Sequence, residues 1–152
     1  KNQDQLAAVL GHEVAHVLAR HSNERLSQSQ LANMGMLAAD TALGDSTYRE
    51  PAMAALGIGA QVGVLLPYSR IQESEADVLG LQLMAMAGFN PEQSIVLWQN
   101  MAQATGKNKQ SELLSTHPSD QHRIDELNQQ LAAVAPLYAK AKELGRKPQC
   151  QF

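Results

Sequence analysis

The sequence has little cysteine, few aromatic residues and little net charge. Cys150 is the single cysteine among 152 residues, which excludes an internal disulfide framework and a zinc site built from cysteines. Phe, Trp and Tyr make up 4% of the chain, and the formal net charge of -3 gives no indication of a nucleic-acid partner. The chain is instead rich in Ala, Leu, Gln and Met, which favours helices.

The fold class expected from these features is mainly α, a compact helical domain with a real core. Apolar residues make up 44% of the chain, and they recur at helical spacing in most segments, without a convincing strand. We expect residues 1–145 to form a single domain and residues 146–152 to form a flexible tail. The sequence does not begin with an initiator methionine and shows no signal peptide, so we expect a mature fragment of a longer protein.

Helical periodicity and turn residues place the individual elements. A loop is predicted at residues 44–51 and a second, polar loop at residues 106–116. Pro118 suits the first position of a helix, and Pro136 is expected to separate that helix from a last short one. The predicted helices cover residues 6–18, 26–43, 68–88, 91–105 and 118–134.

The segment LGHEVAHVLARH places ionisable groups in a helix that otherwise reads as apolar and buried. His12 and His16 are four positions apart, so both imidazoles lie on one helix face and can reach one metal ion. Glu13 is adjacent, in the H-E-x-x-H pattern in which the glutamate polarises a zinc-bound water. Burying the Glu13 carboxylate without a partner would cost free energy. A metal site would explain why these ionisable groups occur in an apolar helix.

Two histidines leave a catalytic zinc site one protein ligand short. The pattern with a third histidine on the same segment is excluded, because Ala19 and Ser22 occupy its glycine and histidine positions. Glu24 is two turns beyond His16 on what we expect to be the same helix, about 12 Å along its axis, which is too far. The third ligand must therefore come from another helix.

The best candidate for that ligand lies in SRIQESEADVLG, residues 69–80. Glu73 and Asp77 are four apart and share a helix face, whereas Glu75 points elsewhere. The Glu73 carboxylate can bind zinc, and Asp77 can accept a hydrogen bond from the free ring nitrogen of a histidine ligand.

Three segments together resemble a known family: HEVAHVLARH, YSRIQESEADVLGLQLMAMAGFNP and STHPSDQHRI. The chain is similar to the HtpX and CAAX-prenyl-protease family of zinc metallopeptidases over residues 4 to about 131, and most similar to its soluble bacterial envelope branch. The resemblance implies one zinc ion per chain and the same site as the spacing does. It implies that His12, His16 and Glu73 bind the zinc ion and that Glu13 is the general base. Asp77 would lie behind the ligands and contact one of them.

The resemblance also gives His117 a role, because it begins the histidine-proline motif of the family. An imidazole near zinc could stabilise the oxyanion of a tetrahedral intermediate, or it could occupy the open position of the metal and hold the enzyme idle. On the resemblance we expect His117 to be a second catalytic residue that lies within a few ångströms of the metal, and we favour this position over direct coordination. Arg123, on the following helix, is expected to make a salt bridge.

Residues 52–66, AMAALGIGAQVGVLL, are apolar and rich in small residues. The run is about 15 residues long and contains Gln61, whereas a bilayer-spanning helix needs about 20 apolar residues. We therefore expect a tightly packed or mobile helix over the active site, with contact to a membrane surface as the alternative.

The expected function is that of a zinc-dependent endopeptidase in which Glu13 activates a zinc-bound water. By resemblance, its substrates are misfolded or unassembled proteins of the bacterial periplasm or cell envelope, with possible association with the membrane surface or outer-membrane assembly factors. The family's N-terminal strands, which contribute to the substrate cleft, are absent from this sequence, so we expect the fragment to hold zinc but to cleave protein substrates poorly. The alternatives are a zinc-stabilised chaperone or binding module without catalysis, and an autoinhibited protease.

Overall fold

The computed structural model describes residues 2–105, 117 and 121–150, and within these it contains six α-helices and no strand. The mainly α prediction is confirmed. The predicted loop at residues 106–116 and the helix start at Pro118 lie outside the described residues. The helices are α1 (Gln3–Leu18), α2 (His21–Leu43), α3 (Arg49–Ala60), α4 (Leu66–Ala87), α5 (Glu92–Thr105) and α6 (Gln121–Glu143), with a π-helical turn at Gln61–Leu65 between α3 and α4.

The chain divides into two compact units. The split unit combines Lys1–Ala19 with Glu73–Phe152, and the inserted unit is Arg20–Gln72. The first boundary falls where α1 ends, because Arg20 adopts a left-handed φ of 58° that no α-helix can continue through. The expectation that one helix runs from His16 to Glu24 is therefore wrong, since Glu24 lies in the first turn of α2.

The core of the split unit lies among α1, α4, α5 and α6. Trp98 is 3% exposed and lies in this core. The apolar side chains around it shield one another from water, which is the main force holding the four helices together. The buried members of this core include Leu81, Met84, Ile95, Ile124, Leu127 and Val134.

Two glycines bring α1 and α4 into backbone contact. A Cβ added at Gly80 would lie 2.8 Å from the His12 backbone nitrogen, and one added at Gly11 would lie 2.9 Å from the Gly80 carbonyl oxygen. Side chains at either position would push the helices apart. The crossing therefore requires glycine on both helices, and it lies directly beside His12.

Helix α1 presents an unexpected face to the core. Its buried residues are small or polar and include Ala8, His12 and Ala15. The large apolar residues that suggested a buried helix are exposed instead: Leu6, Leu10, Val14, Val17 and Leu18. The small residues allow close approach of neighbouring helices, and this approach decides which face of α1 is buried.

Helix α6 runs through Pro136 without ending there, so the predicted division into two helices is wrong. After α6, the backbone at residues 146–150, where we expected a flexible tail, makes specific contacts. Gln3 donates from Nε2 to the Pro148 carbonyl oxygen at 2.9 Å and accepts the Cys150 N–H at 2.9 Å. Arg146 donates to the Met86 carbonyl oxygen at the end of α4.

The inserted unit is an antiparallel hairpin of α2 and α3. Asp40 and Arg49 form a two-pronged ion pair at 2.7 Å near the loop end, and at the other end Gln72 bonds both Glu24 and Arg25 at 2.8 Å. Within this unit only His21 and Gln72 are buried.

No residue of α3 is buried, so the tight packing expected for residues 52–66 is not observed. With the π-helical turn and α4, this helix forms one continuous stretch, Arg49–Ala87, that is long and apolar enough to cross a membrane. Its most apolar 18-residue window has a mean hydropathy of 1.4, and none of that window is buried. The widened turn ends two residues before Pro67, whose ring would clash with a regular helical turn before it.

Candidate metal centre

Helix α1 supplies the two histidines of the H-E-x-x-H motif. The Asn2 side chain caps the start of α1 by accepting the Gln5 N–H at 2.9 Å. One turn apart on the helix, His12 and His16 bring their Nε2 atoms within 3.1 Å of each other. His12 is buried, and the His16 side chain is 12% exposed.

Helix α4 supplies Glu73, which is buried against both histidines. Its Oε2 lies 3.3 Å from His12 Nε2, and its Oε1 lies 3.4 Å from His16 Nε2. The close crossing at Gly80, two turns further along α4, holds the helices at the separation that this contact needs.

His117 is the fourth member of the cluster. Its Nδ1 lies 2.8 Å from Glu73 Oε2 and 3.3 Å from His12 Nε2. The ligating atoms of the four residues, His12, His16, Glu73 and His117, all lie within 4.8 Å of one another and could hold a metal ion.

The donor set fits a tetrahedral metal ion. Four donors placed about 2.1 Å from zinc at tetrahedral angles are about 3.4 Å apart. The contacts of Glu73 with His117 and His16 are 2.8 and 3.4 Å, and all the ligating atoms lie within 4.8 Å of one another. Hydrogen bonding within the cluster leaves a deficit, because His12 Nε2 faces His16, His117 and Glu73 at 3.1 to 3.3 Å with one proton at most. A cation at the centre would satisfy all of these lone pairs together.

The cluster is electrostatically prepared for a cation. Burial alone would raise the pKa of Glu73, but hydrogen bonds from His117, His12 and His16 hold it far below its usual range. Burial lowers the pKa of His12, yet the nearby carboxylates of Asp77 and Glu73 outweigh burial and raise that pKa above its ordinary value. Glu73 is therefore a buried carboxylate that stays charged.

Asp77 lies behind His12. Its Oδ1 is 2.9 Å from His12 Nδ1, at contact distance but without the alignment of a good hydrogen bond. A small rotation of the imidazole toward a metal ion would bring Nδ1–H into line with this carboxylate. The geometry suits a residue that fixes the tautomer of a histidine ligand.

Arg123 on α6 holds this carboxylate in place. It donates from Nε and Nη2 to the two oxygens of Asp77 at 2.6 and 2.8 Å, which confirms the predicted salt bridge. Its Nη1 also lies 3.3 Å from Glu73 Oε2, and its guanidinium stacks 4.3 Å from the Trp98 ring. The contacts with Glu73 and Trp98 were not predicted, because sequence spacing relates residues of one helix and gives no partner on another.

Glu13 lies at the rim of the cluster. Its side chain is 47% exposed and its Oε1 is 3.4 Å from His117 Nε2. The expectation that Glu13 is buried in an apolar helix is wrong, because the apolar face of α1 is itself exposed. A carboxylate beside the donors and open to solvent can exchange protons with water.

Comparison with known proteins places this geometry in a family. The chain matches peptidase family M48 over residues 1–131. It is 38% identical over 132 residues to the mitochondrial metalloendopeptidase OMA1 of Schizosaccharomyces pombe, covering 86% of this chain and 37% of that protein. It is 30% identical over 161 aligned positions to the β-barrel assembly-enhancing protease of Yersinia pestis, covering 95% of this chain and 32% of that protein.

The chain spans less than half the length of these relatives, and no solved structure matches it. The family match covers the first half of the split unit and residues 73–131 of the second, and with them His12, His16, Glu73 and His117. The resemblance expected from the motifs is confirmed. The chain therefore belongs to peptidase family M48, a family of metal-dependent peptidases.

Proposed function

We propose that this chain carries the catalytic centre of a zinc-dependent endopeptidase. His12, His16 and Glu73 would hold the ion, and the observation that carries the proposal is the convergence of their donor atoms with a spacing that suits tetrahedral zinc. Bound zinc would supply a Lewis acid that polarises the scissile carbonyl and acidifies the attacking water.

Glu13 is the proposed general base. Its carboxylate stands at the exposed edge of the donor cluster, where a water molecule and a peptide bond can both approach. Glu13 would accept the proton of the attacking water and then deliver it to the leaving amine. Asp77, clamped by Arg123, would hold the His12 ring in one orientation during this cycle.

The proposed substrates are misfolded or unassembled proteins in the bacterial cell envelope. Support comes from similarity to a relative that is a β-barrel assembly-enhancing protease. Other relatives are mitochondrial, so the similarity itself allows more than one compartment. The class of reaction, hydrolysis of peptide bonds within proteins, is common to both groups.

Replacing Glu13 by Gln tests the proposed mechanism. Gln keeps the size and the hydrogen bonding of Glu but accepts no proton, so hydrolysis of an unfolded protein such as casein should fall by a factor on the order of 10² or more. Zinc content measured on the purified chain should stay the same. The Glu143→Gln variant is the matched control, because it changes another exposed glutamate and should retain full activity.

Unchanged hydrolysis by the Glu13→Gln variant in a zinc-dependent assay would contradict the mechanism. Absence of hydrolysis by the unaltered chain, with zinc bound and unfolded protein still captured, would favour the zinc-stabilised binding module instead. The two results separate an incorrect base from a protein that does not catalyse.

A second candidate function is a self-inhibited peptidase. His117 lies in the donor cluster itself, with Nδ1 at 2.8 Å from Glu73 and 3.3 Å from His12, so it can fill the position that a catalytic site leaves open for water. In this reading the structure corresponds to the resting state. Movement of His117 away from the cluster would open the site.

The His117→Ala variant distinguishes the two roles of this histidine. If His117 blocks the site, the variant should cleave unfolded protein faster than the parent chain. If His117 stabilises the oxyanion, kcat should fall by roughly 10² with unchanged zinc content. Replacement of His122, five residues further along the chain, by Ala is the control and should do neither.

A further inference from the structure

The helical stretch over residues 51–69 leaves most of its large apolar side chains exposed. No side chain between Pro51 and Ser69 is buried, and Met53 and Leu65 are the large apolar residues of this stretch that are partly covered. Ile58 is 66% exposed and Val62 is 58% exposed. A water-soluble helix normally covers its outer face with charged and polar residues, so this surface suits an apolar surrounding.

Charged residues flank residues 51–69 and do not occur within them. Residues 51–69 contain no Asp, Glu, Lys, Arg or His, although 18% of the chain is charged. Arg49 and Glu50 precede this uncharged segment, and Arg70 follows it. The opposite helix has the same pattern, since residues 26–39 of α2 are also without charge between Arg25 and Asp40.

Tyrosines mark both ends of the uncharged segment. Two of the chain's three tyrosines lie near these ends: Tyr48 is three residues before the segment and is 75% exposed, and Tyr68 is its second-last residue and is 47% exposed. Twenty residues of helix span about 30 Å, which is the thickness of the hydrocarbon core of a bilayer. Tyrosine is enriched at both membrane–water interfaces, where its ring is in contact with lipid and its hydroxyl with water.

Two other kinds of helix share this composition, and neither fits. The core helix of a soluble protein is mostly buried, whereas no part of the apolar window is buried here. A secretory signal has an apolar stretch of only about 7–15 residues. The uncharged segment here is 19 residues long.

We propose that residues 51–69 insert into a lipid bilayer, with Tyr48 and Tyr68 at its two interfaces and α2 as the neighbouring helix. The continuous helix satisfies its own backbone hydrogen bonds through the π-helical turn, where the Leu66 N–H donates to the Gln61 carbonyl oxygen. The inference does not depend on the proposed peptidase activity, because it concerns a unit that contains none of the four metal donors.

The test is flotation of the whole chain with phosphatidylcholine vesicles, which carry no net charge. The parent chain should float with the vesicles, and the Ile58→Lys variant should bind them about 100-fold more weakly, because a lysine in the middle of the segment is costly in hydrocarbon. The matched control is Leu144→Lys, an equal change at a 61% exposed position in the split unit, which should float like the parent.

A second measurement reports depth and does not depend on the lysine variant. In a Cys150→Ser background, an environment-sensitive dye on Ile58→Cys should be quenched by lipids carrying a nitroxide near the end of the acyl chain, and the same dye on Leu144→Cys should not. Circular dichroism should show that all variants keep the helical content of the parent.

Two results would overturn the proposal. The first is equal flotation of the Ile58→Lys variant and the parent. The second is a parent chain that does not float but self-associates with rising concentration, and loses this association in the Ile58→Lys variant, since the surface would then bind a second copy of the chain.

Discussion

Glu73 is the residue on which the proposed metal site depends most. It is 3% exposed and stays charged, because His117, His12 and His16 all direct ring nitrogens toward its carboxylate. Without a cation the contacts of the cluster cannot all be hydrogen bonds, because His12 Nε2 carries at most one proton and faces His16, His117 and Glu73. Removing the carboxylate should therefore affect the metal more than it affects the helix that carries it.

The Glu73→Ala variant should lose most of the zinc affinity of the chain, whereas Glu75→Ala should retain it. Both substitutions remove a carboxylate from α4, but Glu75 is exposed and outside the donor cluster. Zinc per chain, measured by elemental analysis after dialysis against a weak chelator, checks this expectation. Equal zinc in the two variants would mean that the third ligand has been wrongly identified.

The residues of the site differ in how far they could be inferred from the sequence. His12 and His16 follow from helical spacing alone, because both are on one segment and the helix fixes their geometry. Glu73 required a guess about which other helix comes close, and His117 was found only by resemblance to a family. The contact of Arg123 with Glu73 had no signal in the sequence, because it joins positions on two helices whose relative placement only the fold decides.

At the scale of the helices, the crossing of α1 and α4 sets the dimensions of the site. Gly11 and Gly80 allow the two backbones to touch, and this contact is adjacent to His12 on one helix and three residues after Asp77 on the other. The two helices bring three of the four donor residues to the cluster. A change in their separation therefore changes the spacing of the donors.

The Gly80→Ala variant should unfold at lower denaturant concentration and bind zinc more weakly. The new methyl group would lie 2.8 Å from the His12 backbone nitrogen, and separating two backbones by this much typically costs about 1–3 kcal/mol of the free energy of unfolding. Urea unfolding and zinc titration together check the two effects.

The control for Gly80 is a glycine whose surroundings are open. An added Cβ at Gly35, within α2, would have no atom within 4 Å, so Gly35→Ala should keep zinc affinity and raise the free energy of unfolding by up to about 1 kcal/mol through helix propensity. If both variants raise the free energy of unfolding, the backbones of α1 and α4 are farther apart at Gly80 than described here.

The boundaries and faces of the helices were harder to predict than their existence. The predicted α4 and α5 match the observed helices within a few residues, because apolar periodicity and the turn at Gly88 mark them clearly. Helix α1 was predicted with the wrong face buried, since hydropathy favours burying leucine while the crossing at Gly80 selects small residues. The end of α1 at Arg20 was missed, because a left-handed residue other than glycine leaves no signal in composition.

At the scale of the molecule, the two units differ in how well their side chains are buried. The split unit has a continuous apolar core, whereas the inserted unit buries only His21 and Gln72. Segments with few buried contacts open more readily than segments of a packed core. The inserted unit should therefore be the more easily opened part of the chain in water.

Amide hydrogen–deuterium exchange, measured with and without zinc, should distinguish the inserted unit from the split unit. Without zinc, amides of α3 should exchange faster than amides of α1 and α6. Zinc binds only the folded split unit in this proposal, so it should slow exchange in Gln3–Leu18 and in residues 73–87 and leave α3 unchanged. Equal slowing of all helices would show that the two units open together.

The wide separation of the donors along the chain has a consequence for folding. His12 and His117 are 105 positions apart, and Glu73 and His117 are 44 apart, so one ion bound by these residues would close large loops of the polypeptide. A cross-link of this kind restricts the unfolded chain most when the loops that it closes are long. Cys150 is the single cysteine and cannot form an internal disulfide. Zinc in the proposed site would be the cross-link that disulfide bonds provide in other small proteins. A chelator would then act on this chain as a reducing agent acts on a disulfide-bonded one.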